Sequence, residues 1–131
     1  MSAYPKEYRD PLKKARGLGS AQHGVGHWWA QRVTAVALVI LSLWLVSLVL
    51  RVLQGDYATA HDLAARPWNA VLLIAFVVAS FWHAVLGLQV IVEDYVHVRW
   101  KEIALLMAIK FIAVLGALAS VLAVLRIALG A

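Results

Sequence analysis

The chain has no cysteine among its 131 residues. Disulfides and thiolate-held metals are therefore excluded, and any metal must be held through imidazole or oxygen. Charge is also scarce: 15% of the residues are charged and 63% are hydrophobic, a balance far too apolar for a soluble domain of this size. Asp, Glu, Lys and Arg are absent from Val33 to Leu50, from Pro67 to Val92 and from Phe111 to Leu125. Each run is near or above the length that spans a bilayer. Three spans use up most of the chain and leave no segment able to bury a soluble core or house a catalytic domain. Any enzyme to which the chain belongs has further subunits.

The charge that is present lies beside these runs. A formal net charge of +5 would suit nucleic acid, but basic residues flanking membrane spans are explained by orientation and by anionic lipid, so no nucleic-acid partner is expected. The N-terminal segment contains Glu7 and Asp10, has no apolar core of its own and lacks the amphipathic Arg/Ser pattern of a transit peptide. These features predict a multi-pass protein of a bacterial inner membrane with a retained N-terminus.

The expected fold is all-α, one integral membrane domain of three transmembrane helices. A polar segment of residues 1–27 precedes a first span at 28–53, a loop at 54–67, a second span at 68–92, a loop at 93–102 and a third span at 103–129. Pro67 suits the first turn of a helix. Lys110 interrupts the third span about two turns in, roughly 10 Å along the helix, from where its ammonium can snorkel to the interface. The N-terminal flank holds Lys6, Arg9, Lys13, Lys14, Arg16 and Arg32, and the second loop holds Arg99 and Lys101; the first loop has only Arg51 and Arg66, and Arg126 lies near the C-terminus. The excess of Lys and Arg belongs on the cytoplasmic side, so the N-terminus and the 93–102 loop are expected in the cytoplasm and the 54–67 loop and C-terminus in the periplasm. Trp28, Trp29, Trp68 and Trp100 sit near the span ends, as interfacial anchors or as contacts to partner subunits. Ala113, Gly116, Ser120 and Ala123 form a small-residue strip that permits close helix approach.

His83 is the only ionisable residue in the charge-free second run, and an imidazole in lipid requires a metal, a hydrogen bond or an aqueous path. At about 100° per residue, Phe76, Ser80, Gly87, Val90 and Asp94 share its helix face. Gly87, one turn on, removes a side chain beside the imidazole, as a flat macrocycle stacked on the helix would need. A neutral imidazole is a standard axial ligand of haem iron. The alternative is a structural histidine bonded to Ser80 or to a neighbouring helix. His23 and His27 precede the first span and His61 and His97 lie in loops, so a second axial ligand is expected from another polypeptide.

Arg32, at the cytoplasmic entry to the first span, is either an orientation charge or, with His27 beside it, a contact for a haem propionate, to which a guanidinium is well shaped. Asp94 and Tyr95 lie about 16 to 18 Å of helical rise from His83, at the membrane surface. Tyr95 can anchor the helix there, or donate a hydrogen bond to a quinone carbonyl while Asp94 relays protons.

"HAVLGLQVIVEDYVH" (His83 to His97) resembles the second-helix signature of the small hydrophobic membrane anchor of succinate dehydrogenase, His-x-x-x-Gly followed by Asp-Tyr-Val. "HWWAQRVTAVAL" (His27 to Leu38) resembles that family's entry to the first helix, an Arg followed by a Thr-Ala pair. The resemblance covers nearly the whole chain. It implies a second three-helix anchor, a cytochrome b, bundled with this one, and a flavoprotein and an iron–sulfur subunit seated on the cytoplasmic face. Succinate is then oxidised in the soluble subunits, within the tricarboxylic acid cycle, and electrons pass to ubiquinone in the membrane. It also implies His83 as an axial ligand of haem b, Arg32 and His27 as haem contacts, Tyr95 as a quinone hydrogen-bond donor and Asp94 as its neighbour in the quinone site. Other readings are a self-contained small membrane cytochrome in which His83 of two copies clasps one haem, a fumarate reductase anchor, and a non-redox scaffold or transporter fragment in which His83 is structural.

Overall fold

A computed structural model describes residues 24–130. The cations Lys6, Arg9, Lys13, Lys14 and Arg16, on which much of the orientation argument rests, lie outside the described residues, as does His23. Among the described residues four helices follow in order: α1 (Gly24–Leu53), α2 (Tyr57–Ala65), α3 (Pro67–Tyr95) and α4 (Arg99–Leu129). Three of them, α1, α3 and α4, are long and apolar enough to cross a membrane. At 30, 29 and 31 residues they measure about 43 to 47 Å along their axes, longer than the roughly 30 Å hydrocarbon core, so their ends reach the headgroup region or tilt.

The first helix already includes Gly24, four residues before Trp28. His27 is consequently a helix residue and not part of the segment before it. The loop between the first two spans contains a helix that the polar composition of 54–67 concealed. Asp56 caps α2 through Oδ1, which accepts from the Thr59 backbone N–H at 2.9 Å and from its hydroxyl at 2.7 Å, satisfying donors that a helix N-terminus leaves open. Those bonds, the backbone one foremost, hold the Asp56 carboxyl below its ordinary value of 3.8. Arg66 ends α2 and begins α3 with extended backbone, Pro67 occupies the first turn of α3, and Asn69 Nδ2 donates to Leu63 O at 2.7 Å across the junction. Gly130, at φ 70°, closes α4 in the left-handed conformation that glycine adopts without steric cost.

The long helices pack with α3 in the middle: α1 and α4 each dock against it rather than chiefly against each other. Among the described residues the buried apolar side chains are few, namely Leu48, Leu63, Ala70 and Val92, whereas Leu43, Ile112 and Phe111 are 71%, 69% and 65% exposed. Apolar surface on that scale is incompatible with water. It fits a chain whose surroundings are lipid and other membrane helices.

Candidate functional site

The α1–α3 interface is apolar along most of its length and polar at one level. On α1, His27, Gln31 and Thr34 recur at helical spacing and so share a face. That face meets α3 at His83. The Thr34 hydroxyl lies 2.9 Å from His83 Nδ1, and Gln31 Nε2 lies 3.3 Å from His83 Nε2. His83 is therefore partnered from the neighbouring helix rather than by Ser80 of its own.

These contacts favour one tautomer. Thr34 Oγ1 donates to Ala30 O at 2.7 Å, with Gln31 O at 3.1 Å, the bond that a helical threonine makes to the preceding turn. Its single proton is thus committed, and toward His83 it offers only lone pairs. With the hydroxyl so placed, Nδ1 carries the hydrogen and donates it to Thr34. In the neutral ring Nε2 then holds a lone pair, which accepts from the Gln31 amide, a group that can only donate through its nitrogen.

Beside this pair lies an open groove of about 950 Å³, bordered on α1 by His27, Gln31 and Arg32 and on α3 by His83, Gly87 and Glu93. Gly87 keeps the α3 wall low: a Cβ there would meet only Gln31 Nε2, at 3.7 Å. Two buried polar atoms among the groove residues have no hydrogen-bond partner, His27 Nε2 and Gln31 Oε1. Such atoms are costly unless a ligand or water satisfies them. The Arg32 guanidinium lies over the Trp28 ring, 4.7 Å from its centre, which holds a cation at the groove. Among the described residues no three His, Asp or Glu side chains converge, so a metal bound at His83 would take its other ligands from a macrocycle or another chain.

The α4 side of α3 differs. A smaller cavity of about 250 Å³, lined by Phe81, Trp82, Ala113 and Val114, is apolar apart from Lys110 at its edge. Asp94 and Tyr95 occupy the last turn of α3, both exposed, with Tyr95 at 78%; neither borders the His83 groove. The structure thus gathers His83, Arg32 and His27 at one groove and leaves Asp94 and Tyr95 apart from it, at the end of α3. Gln31 and Thr34 are the site residues to which reasoning from the sequence gave no role, although Thr34 belongs to the Thr-Ala pair of the helix-entry motif. Their spacing from His27 was the available signal.

The sequence matches the succinate dehydrogenase/fumarate reductase transmembrane subunit family over residues 6–117. The chain belongs to that family. Among relatives of this transmembrane-subunit family, the succinate dehydrogenase hydrophobic membrane anchor subunit of Rickettsia bellii is 36% identical over 118 residues, covering 90% of this chain and 94% of the relative. The protein of the same description from Paracoccus denitrificans is 33% identical over 125 residues, covering 95% of each, and that of Rickettsia typhi is 29% identical over 118 residues, with 90% and 94% covered. No solved structure gives a significant match. The matched span includes α1, α2, α3 and more than half of α4, and so the whole of the His83 groove.

Proposed function

We propose that the chain is the small membrane-anchor subunit of a succinate:quinone oxidoreductase, that it holds one side of a haem b through His83, and that it contributes Tyr95 and Asp94 to a ubiquinone-reduction site. The anchor role is supported by the relatives named above, each described as a succinate dehydrogenase hydrophobic membrane anchor subunit. The observation that carries the haem reading is the presentation of His83: Nδ1–H is committed to Thr34 and the Nε2 lone pair lies in a residue that borders a groove open beside Gly87.

The residues present fit a haem. His83 supplies an imidazole nitrogen to iron, Gly87 leaves room beside it, Arg32 offers a guanidinium to a propionate, and the unpartnered His27 Nε2 and Gln31 Oε1 provide polar atoms at the groove. Bound there, haem would supply one-electron transfer within the membrane. A second axial ligand comes from a second anchor subunit, a cytochrome b, bundled against the exposed apolar faces of this chain. The flavoprotein and iron–sulfur subunits sit on the cytoplasmic face, where the N-terminus and the loop between α3 and α4 also lie; the C-terminus is periplasmic, in a bacterial inner membrane. The cytoplasmic side carries Tyr95, whose hydroxyl donates to a quinone carbonyl oxygen, and Asp94, whose carboxylate passes on protons that quinone reduction consumes.

Purification of the native assembly in mild detergent tests the reading. A flavoprotein, an iron–sulfur protein and a second anchor should accompany the chain, with a low-spin b-type haem spectrum. His83→Ala should abolish or alter that spectrum while succinate oxidation by a water-soluble dye continues. An unchanged spectrum in an assembly shown to contain His83→Ala would overturn the ligand assignment.

A further inference from the structure

We propose that Thr34 is a positioning residue for His83: its hydroxyl fixes which ring nitrogen carries the proton, and so sets how strongly Nε2 binds the haem iron. The proposal rests on the haem reading above and adds to it a residue on a different helix from the ligand.

The argument follows from the hydrogen count. Thr34 Oγ1 has one proton, given to the preceding turn at Ala30 O, 2.7 Å away. The 2.9 Å contact to His83 Nδ1 can then be made only with Nδ1–H as donor. Gln31 reaches the same conclusion from the opposite side of the ring, because its Nε2 amide, 3.3 Å from His83 Nε2, has hydrogens to give and no lone pair to accept. Both contacts thus fit one tautomer, with the Thr34 proton on Ala30 O and the Gln31 amide nitrogen turned to the ring. They differ in one respect. Iron and the Gln31 amide compete for one lone pair on Nε2, whereas the Thr34 contact is on the other nitrogen and is compatible with ligation.

A hydroxyl accepting from the far nitrogen of a ligating imidazole does two things. It restrains rotation of the ring, and it leaves the coordinating nitrogen more basic, which favours the ferric over the ferrous state. Thr34 and His83 are 49 residues apart, so the bond also couples the docking of α1 on α3 to ligand orientation. Valine has nearly the shape of threonine without the hydroxyl, and serine keeps the hydroxyl without the methyl.

In the intact detergent-solubilised complex, Thr34→Val should raise the haem midpoint potential, alter the electron paramagnetic resonance signal of the oxidised haem and weaken haem retention by roughly ten- to a hundredfold. Thr34→Ser should leave all three near the parent values. If Thr34→Val fails to assemble, Thr34→Ala against Thr34→Ser makes the same comparison. Parent-like potential, signal and retention in the variant lacking the hydroxyl would overturn the proposal, as would a serine variant displaced as far as valine or alanine. His83→Ala, measured in parallel, separates the two levels. Persistence of its haem signal overturns the ligand assignment and this proposal together, while loss of that signal beside an unaffected Thr34→Val overturns only the role given to Thr34.

Discussion

The Phe81 ring of α3 lies so close to Gly116 of α4 that a Cβ on Gly116 would stand 2.8 Å from two of the ring carbons. One turn further along, Ser120 Oγ returns its hydrogen to Gly116 O at 2.8 Å, so the strip toward α3 carries no protruding polar atom. Between membrane helices, where lipid is as apolar as leucine, association depends on such close packing. Gly116→Leu should therefore overpack the α3–α4 contact at a cost of about 1 to 3 kcal/mol and lower the thermal midpoint of the purified complex. Gly26→Ala is the control, because an added Cβ there meets nothing within 4 Å. Equal thermal midpoints for Gly116→Leu and the parent would show that α4 does not depend on this contact.

The strip containing Gly116 was legible in the sequence because small residues at helical spacing leave a pattern, and the three long helices were legible because charge-free runs leave a stronger one. The short helix α2 was not. Its nine residues are too few for periodicity to emerge, and its clearest sign, Asp56 three residues before Thr59, is a cap that also occurs in turns. His83 stood out as a polar residue in an apolar run. Gln31 and Thr34 did not, since each reads as an incidental polar residue near a span entry, and their meeting with His83 across 52 and 49 residues depends on how α1 docks on α3. Periodicity within one helix does not contain that information.

The cap of α2 gives a pH prediction. Folding holds the Asp56 carboxyl below 3.8 because its ionised form accepts from the Thr59 backbone N–H and then from the Thr59 hydroxyl. A carboxyl depressed in the folded state stabilises it fully above the unfolded value, and that contribution is lost as the pH falls through the depressed value. A nitroxide attached at Ala58→Cys should therefore show constant, restricted motion from neutral pH down to about 4 and greater motion only below it. Adding Asp56→Ala should make the motion greater at neutral pH and remove the acid transition. A parent-like neutral spectrum in that double variant would show that the cap does not hold α2.

Orientation is open to direct chemical test. With the N-terminus inside, a cysteine at Ala58 faces the periplasm and one at Val98 faces the cytoplasm; Val98 is 45% exposed and N-caps α4. Ala58 is preferable to Thr59, whose hydroxyl and N–H serve the cap. In intact cells a membrane-impermeant thiol reagent should label Ala58→Cys and leave Val98→Cys unlabelled until the membrane is opened. Labelling of Val98→Cys alone would invert the topology, and with it the face on which soluble subunits can sit.

Tyr95 carries the riskiest prediction, because its exposure at the end of α3 suits both an interfacial anchor and a quinone donor. Tyr95→Phe separates them: the ring remains to anchor the helix, and only the hydroxyl is removed. A hydrogen bond lost from a partly desolvated quinone site costs about 1 to 3 kcal/mol, or roughly five- to over a hundredfold in rate if the bond strengthens in the transition state. Succinate-driven quinone reduction should fall by that factor, while succinate oxidation by a water-soluble dye and haem content stay at parent levels, since neither process uses this hydroxyl. Asp94→Asn should lose less, because an amide retains some hydrogen bonds but cannot take up and release a proton. Normal turnover and unchanged apparent quinone affinity in Tyr95→Phe would leave Tyr95 as an anchor and move the quinone donor to a partner subunit.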